Sequence, residues 1–185
     1  MSVMICLLRG VNVGGHNKLP MAALRALLES LDLRAPQTYV QSGNVVFHTR
    51  EGNVARLAKS IEDALEKKFR FRPAVLLRTA AELKEVVARN PLRKRASTEP
   101  GKVMVLFLAD APGKNAREIL AKVPKGSEEL HLYGREIYIY FPVGAGQSKL
   151  PWSTLGERLG TSGTGRNWNT VTKLLEMAEG AASGG

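Results

Sequence analysis

The chain has 185 residues, of which 44% are hydrophobic and 24% charged, and this ordinary globular composition excludes wholesale disorder. Its 27 lysines and arginines outnumber its 17 aspartates and glutamates, which gives a formal net charge of +10. That excess favours anionic partners such as nucleic acid, nucleotides, phosphorylated metabolites or acidic protein surfaces.

The first predicted element is a strand over residues 3–8, an almost wholly apolar run typical of strands covered on both faces. Cys6 lies inside it and is the only cysteine, so it excludes an intramolecular disulfide and is expected to be a buried, reduced thiol. The N-terminus shows no signal-peptide pattern, and no apolar run reaches the roughly 20 residues that span a membrane. We therefore expect a cytosolic protein with no membrane partner.

A glycine-rich loop, LLRGVNVGGHNKLP over residues 7–20, follows this strand. Gly10 and Gly15 have the spacing of the two P-loop glycines, but the next two residues are not the required Lys and Ser or Thr, and no Rossmann G-x-G-x-x-G is present. Two interpretations stay open. In the first, the backbone N–H groups of Gly14 and Gly15 bind an anion together with the ammonium of Lys18. In the second, the glycines only shape a structural turn.

The remaining N-terminal patterns predict a β-α-β-β-α-β lobe over residues 1–90. The apolar residues after Pro20 have helical spacing and predict a helix. Two strands are then predicted at TYVQ and NVVFHT, a helix over residues 53–69 and a further strand at AVLLR. A connecting helix with Thr79 as its N-cap is expected to end the lobe.

The segment of residues 91–101 is rich in charge, proline and glycine, and we interpret it as the linker between two domains. Beyond it the order of strands and helices repeats, with a strand at VMVLFLA, a helix near residues 115–122 and strands at ELHLY and EIYIYF. Residues 102–180 are therefore predicted to form a β-α-β-β-α lobe. The repeat predicts an α+β fold of two ferredoxin-like halves, with antiparallel sheets and helices on one face. Residues 181–185 are expected to be a disordered tail.

Two further polar stretches are candidate ligand contacts. In QSGN, the residues Gln41, Ser42 and Asn44 surround a hairpin glycine, and a plain turn is the favoured interpretation. GRNWN is harder to attribute to a turn alone, because an arginine beside a tryptophan suits stacking on a base or clamping a carboxylate or phosphate. Asn169 or Thr170 is expected to cap the following helix, and Trp168 could instead anchor that helix in the core.

Three stretches of the chain together resemble the signature stretches of the bacterial domain-of-unknown-function family 1697: LLRGVNVGGHNKLPMAALR, TYVQSGNVVF and GRNWNTVTKLLEMA. The resemblance extends over nearly the whole chain. The resemblance implies an α+β protein of two related lobes, and it implies no reaction or substrate. Matched motif by motif, it draws attention to Arg9, Asn12, Gly14, Gly15, Gln41, Ser42, Gly43, Asn44, Arg166, Asn167, Trp168 and Asn169.

Other features have competing interpretations. Tyr138 and Tyr140 share one face of the strand EIYIYF and suit either a stacking platform for nucleic-acid bases or, the favoured alternative, a half-buried sheet face. Two basic clusters could contact phosphates or simply be solvated. They are Lys67, Lys68, Arg70 and Arg72, and Arg93, Lys94 and Arg95.

No pattern of metal ligands or catalytic residues is evident, and we predict no metal and no cofactor. His16, beside the glycine loop, is the only general-base candidate, and a surface-loop histidine is the favoured alternative. Whether the chain is an enzyme stays open.

The leading hypothesis is a two-lobed protein that binds a small anionic or nucleotide-like ligand in a groove between the lobes. Sequence-tolerant nucleic-acid binding and a small enzyme acting on an anionic substrate are the alternatives. In the leading hypothesis Arg9 and Arg166 bind the charge, Asn12, Asn44 and Asn167 fix the orientation, and Trp168 supplies a stacking wall.

Overall fold

The computed structural model describes residues 1–183, and their contacts group them into two compact units. Unit 1 contains Met1–Lys84 together with residues 174–183, and unit 2 contains Glu85–Lys173. The segment 91–101, expected to be a linker, lies within unit 2 and forms a short helix and a 3-10 turn. Its apolar side chains explain the difference, because Leu92 and Ala96 are buried.

Unit 1 has the predicted β-α-β-β-α-β order and one antiparallel sheet with strand order β2-β3-β1-β4. The central strand pairs with both neighbours, so that Ile5 lies opposite Val46 on one side and Arg78 on the other. The elements are β1 (Ser2–Leu8), α1 (Met21–Glu29), β2 (Arg34–Tyr39), β3 (Asn44–Thr49), α2 (Val54–Phe69), β4 (Val75–Thr79) and the start of α3 (Ala80–Ala88).

The core of unit 1 lies between one sheet face and the helices α1 and α2. Alternate residues of β1, including Cys6, cluster with Leu28 of α1 and Ile61 of α2, and all three are fully buried. Because strand side chains alternate between faces, this places both helices on the same side of the sheet. Cys6 is buried and forms no disulfide, as expected.

Helix capping in unit 1 follows the sequence closely. The Oδ1 atom of Asn53 accepts a 3.0 Å hydrogen bond from the N–H of Arg56 at the start of α2. At the start of α3, the Thr79 hydroxyl accepts from the N–H of Glu82 at 3.1 Å, while the Glu82 carboxylate accepts from the N–H of Thr79 at 2.8 Å. This reciprocal pair is a capping box, and Thr79 is the predicted N-cap.

Unit 2 repeats the topology, with an antiparallel sheet in the order β6-β7-β5-β8. The two sheets confirm the prediction of two ferredoxin-like halves. The elements are α4 (Arg93–Thr98), β5 (Val103–Leu108), α5 (Ala116–Ala121), β6 (Glu129–Tyr133), β7 (Glu136–Tyr140), α6 (Leu155–Arg158), β8 (Gly163–Asn167) and α7 (Trp168–Ser183), with 3-10 turns at Pro100–Lys102 and Trp152–Thr154.

Strand β8 is absent from the sequence prediction, because glycine and threonine dominate it and mark a loop by composition. Its glycine has a packing reason: a Cβ on Gly165 would lie 2.7 Å from the Met104 Sδ and 2.8 Å from the Trp152 Cζ3. The C-terminal half is therefore β-α-β-β-α-β rather than β-α-β-β-α.

Helix α7 continues to Ser183, whereas disorder was expected from residue 181; residues 184 and 185 of that predicted tail lie outside the described residues. Its apolar face is buried at Val171, Leu174 and Ala178, each no more than 1% exposed. Over residues 1–183, no helix combines the length and apolar character needed to cross a membrane.

Candidate functional site

The amide side chain of Asn12 holds together the glycine-rich loop between β1 and α1. Its Nδ2 donates to the carbonyl of Leu19 at 2.9 Å and to that of Gln41 at 2.7 Å, and its Oδ1 accepts from the N–H of Leu19 at 2.8 Å. Asn12 adopts a φ of +54°, a left-handed conformation that asparagine tolerates better than most residues. Asn12 therefore joins the first polar motif to the second.

The tip of the loop is a tight turn. The N–H of His16 donates to the carbonyl of Val13 at 3.0 Å, and the two glycines between them have φ values of +57° and +78°. Two consecutive positive φ angles are typical of a type I′ turn. Below the tip, the Asn17 Nδ2 donates to the Gly10 carbonyl at 2.9 Å. This geometry agrees with the structural-turn interpretation, and the tip leaves Gly14, Gly15, His16 and Lys18 exposed to solvent.

The second motif forms the β2–β3 turn and packs against the first. Asn44 is fully buried, and its Nδ2 donates to the Tyr39 carbonyl at 3.1 Å and the Ser42 hydroxyl at 2.9 Å. Gly43 has a φ of +72°, and a Cβ there would lie 2.6 Å from the Val11 Cγ2 and 2.8 Å from the Leu8 Cβ. The turn thus needs glycine both for its backbone angle and for its close approach to the loop.

The third motif lies in unit 2. Arg166 is 8% exposed and its Nη1 donates to the Thr164 hydroxyl at 2.7 Å and the Gly165 carbonyl at 2.9 Å. The Oδ1 of Asn167 accepts from the N–H of Thr170 at 2.9 Å, so Asn167 caps α7 in place of the predicted Asn169 or Thr170.

The predicted site residues therefore fall into two groups. The first two motifs meet at one end of the unit 1 sheet, where the N–H of Arg9 also donates to the Ala74 carbonyl at 3.0 Å. Arg166, Asn167, the partly buried Trp168 and the exposed Asn169 belong to unit 2. The amides of Asn12 and Asn44 and the buried guanidinium of Arg166 form hydrogen bonds with protein groups of their own unit, so these side chains stabilise the local structure.

The tyrosines of β7 are buried rather than arranged as an open platform. Tyr138 is 1% exposed, and its hydroxyl donates to the Val86 carbonyl at 2.7 Å. Tyr140 is 5% exposed, and its hydroxyl donates to the Glu99 carboxylate at 2.6 Å. Burial raises the pKa of Tyr138, and the bond to Glu99 raises that of Tyr140. Neither ring is free to stack on a nucleic-acid base.

Unit 2 contains a groove of about 1120 Å³ that is rich in positive charge. Four cationic side chains and one carboxylate line it, along with an apolar wall and one tyrosine. We call it the basic groove, and its lining is Ala88, Arg89, Asn90, Pro91, Leu92, Arg93, Lys94, Arg95, Thr98, Glu129 and Tyr133. The cluster Arg93–Arg95, noted in the sequence as a candidate phosphate contact, supplies most of its charge.

The cations of the basic groove differ in how firmly they are held. The Arg95 guanidinium lies 4.5 Å from the centre of the Tyr140 ring and 3.1 Å from the Glu129 carboxylate. Arg93 donates to the Ala88 carbonyl at the end of α3. Lys94 is exposed on the first turn of α4. The groove therefore combines an oriented guanidinium with a flexible ammonium, both suited to anions.

Asn90 belongs to the lining of the basic groove and carries an enclosed side-chain donor without a partner among the described residues. It is 2% exposed, and its Oδ1 accepts from the N–H of Leu92 at 2.8 Å. Its Nδ2 is buried and has no hydrogen-bond partner among residues 1–183. A buried unpaired donor costs about 1–3 kcal/mol. The sequence analysis singled out no role for Asn90.

In the other basic cluster, Arg72 is paired with carboxylates of unit 1. The Arg72 guanidinium contacts Glu62, Asp63 and Glu66 at 2.9, 2.6 and 2.8 Å. Hydrogen bonds to Asp63 and Glu66 raise the pKa of Arg72 further above its ordinary value. This agrees with the interpretation of a solvated face. Within the described part of the chain, no group of three or more His, Cys, Asp or Glu side chains is arranged to hold a metal ion.

Comparisons with known proteins identify relatives without an assigned activity. The family model "Protein of unknown function (DUF1697)" matches residues 1–138. A solved structure, that of the conserved bacterial protein SP0830 from Streptococcus pneumoniae, is similar with a TM-score of 0.73 and 23% identity, covering 96% of this chain and 98% of that one. This likeness shows the fold. A search of curated proteins finds no match.

Proposed function

The chain belongs to the DUF1697 family of proteins of unknown function, and we propose that it binds a small anionic ligand by a phosphate group in the basic groove of unit 2. The observation behind this proposal is the clustering of three cations, Arg93, Lys94 and Arg95, in the lining of one groove. A phosphate oxygen accepts hydrogen bonds from all of these groups.

The charge balance of the groove supports an anion. Of the four cations of the lining, Arg95 is paired with Glu129 and Arg89 with Glu85 outside the lining, while Arg93 and Lys94 are both exposed. Lys94 is exposed, and the Arg93 guanidinium, which donates one bond to the Ala88 carbonyl, has further N–H donors for a phosphate oxygen. Because these side chains are exposed, salt will weaken their attraction for a ligand strongly.

The test is calorimetric titration of the full chain with inorganic phosphate and pyrophosphate at low and high salt. We expect pyrophosphate to bind, with an affinity that falls at least fivefold as the salt concentration rises from 0.05 to 0.5 M. The reason is that the Debye screening length decreases from roughly 14 Å to about 4 Å over this range. The double variant Arg93→Ala/Lys94→Ala should lose about tenfold in affinity.

The matched control is Lys114→Ala, which removes an exposed lysine of the same unit outside the groove lining. It should bind pyrophosphate as the wild type does. If pyrophosphate fails to bind at low salt, or if the double variant and the control bind equally well, the proposal is wrong.

A further inference from the structure

We infer that the anion bound in the basic groove is the phosphate of a nucleotide unit whose base stacks on Tyr133. The inference rests on the proposed function and names the ligand class for the same groove. It is drawn from the apolar and aromatic part of the lining, which phosphate binding alone does not use.

The volume of the groove argues for a ligand larger than phosphate. A space of about 1120 Å³ is slightly larger than the usual range for organic-ligand sites, about 300–1,000 Å³, and a bare phosphate would leave most of it filled with water. The lining includes three apolar residues, Ala88, Pro91 and Leu92. A suitable ligand therefore joins an anionic group to a sizeable apolar or aromatic body.

Tyr133 provides a surface for such a body. It is 44% exposed at the end of β6, whereas the tyrosines of β7 are buried. Its ring meets that of Tyr138 edge to face, with centroids 6.2 Å apart and planes at 75°, and the Val86 carbonyl fixes the Tyr138 hydroxyl. The exposed ring is thus held in place by a rigid neighbour. Aromatic rings held this way stack on bases of any sequence.

In the proposed complex, a nucleotide acceptor reaches the enclosed amide donor of Asn90. Its Oδ1 is engaged by the Leu92 N–H, which fixes the amide plane and leaves only the Nδ2 hydrogens unpaired. Ring carbonyls, ring nitrogens and phosphate oxygens of nucleotides are all acceptors. Asn90, Tyr133 and the cations belong to the same lining. A nucleotide offers them an acceptor, a base and a phosphate.

Such a nucleotide unit has two sources, a free mononucleotide or one residue of a single-stranded nucleic acid. The experiment therefore titrates the full chain with AMP, GMP, CMP and UMP, with pyrophosphate, and with a fluorescein-labelled eight-residue oligouridylate. A 2-aminopurine nucleotide reports stacking directly, because stacking quenches its fluorescence.

For the wild type we expect at least one mononucleotide, or the oligomer, to bind at least fivefold more tightly than pyrophosphate, with quenching of 2-aminopurine. Tyr133→Leu should weaken nucleotide binding roughly 5- to 100-fold and abolish the quenching, while pyrophosphate affinity stays within twofold. Tyr133→Phe retains the ring and should behave as the wild type. Asn90→Asp keeps the acceptor for Leu92 and should lower nucleotide affinity.

The outcomes separate the two proposals. Pyrophosphate binding that needs Arg93 and Lys94, with no nucleotide or oligomer binding more tightly, would leave the proposed function standing and overturn the nucleotide inference. Nucleotide binding without any pyrophosphate binding would overturn the phosphate proposal, and with it this inference. An oligomer that binds far more tightly than every mononucleotide identifies single-stranded nucleic acid as the source.

Discussion

The side chain of Asn12 donates a 2.7 Å hydrogen bond from Nδ2 to the backbone carbonyl of Gln41, 29 positions further along the chain. With the two bonds to Leu19, it ties the glycine-rich loop to the β2–β3 turn. A residue singled out as a ligand contact therefore has all its amide atoms engaged in shaping the loop.

Asn12→Ala should accordingly destabilise the protein. It removes three hydrogen bonds and places alanine at a φ of +54°, so we expect a loss of about 1–3 kcal/mol in the free energy of unfolding, measured with urea. Asn169→Ala changes an exposed asparagine of the third motif and should cost less than about 0.5 kcal/mol. Equal stabilities of the two variants would contradict the structural role of Asn12.

The glycines of the two motifs should differ sharply in their tolerance of alanine. Gly43→Ala meets both a left-handed backbone and the side chains of Leu8 and Val11 within 2.8 Å, and should cost about 2–4 kcal/mol. Gly15→Ala has the same backbone problem at a φ of +78° but nothing within 4 Å, and should cost about 1–2 kcal/mol. Thermal unfolding of both variants tests the difference, and a Gly43 variant as stable as the Gly15 variant would contradict the close packing.

The acid sensitivity of unit 2 should depend on Glu128. Hydrogen bonds from the Ser148 hydroxyl and from backbone N–H groups, including that of Gly126, hold the pKa of this carboxyl below its ordinary value. The folded state therefore gains stability from the ionised carboxylate above the unfolded pKa of about 4.3, and loses it as the pH falls through the folded pKa.

Glu128→Gln should be less stable than the wild type at pH 7, because its amide NH2 cannot accept the second hydrogen bond. The gap between the two in urea unfolding should narrow from about pH 4.3 downward and stay constant from pH 5.5 to 7. Glu118→Gln, on the exposed part of α5, controls for the loss of one charge. A gap that does not change with pH would show that the ionised form of Glu128 contributes nothing.

The sequence predicted what depends on local pattern. Apolar alternation and helical spacing located most strands and helices of both halves, and Thr79 was correctly predicted as an N-cap. Its capping partner, Glu82, became evident only in the structure. Strand β8 was missed because its glycines mark a loop by composition, while the fold uses Gly165 for the close approach of Trp152. Strand β8 depends on packing between distant segments, which the pattern of a single sequence does not contain.

The same limit applies to the site. Asparagines in turns resemble ligand contacts in sequence, and only the hydrogen bonds of Asn12 and Asn44 reveal that their amides bind protein carbonyls and a hydroxyl. Conversely, the sequence analysis singled out no role for Asn90, and only the fold shows that its Nδ2 is enclosed without a partner among the described residues. Burial of single atoms is a property of the folded chain.

The exposed tip of the glycine-rich loop offers a rival site for an anion, and it can be tested against the basic groove. Lys18, with the N–H groups of Gly14 and Gly15, was predicted to contact a ligand and lies exposed in unit 1. If the basic groove is the site, Lys18→Ala should bind pyrophosphate within twofold of the wild type, while Arg93→Ala/Lys94→Ala loses about tenfold. The reverse pattern in calorimetric titration would assign the anion to the loop tip, because each variant removes charge from one unit alone.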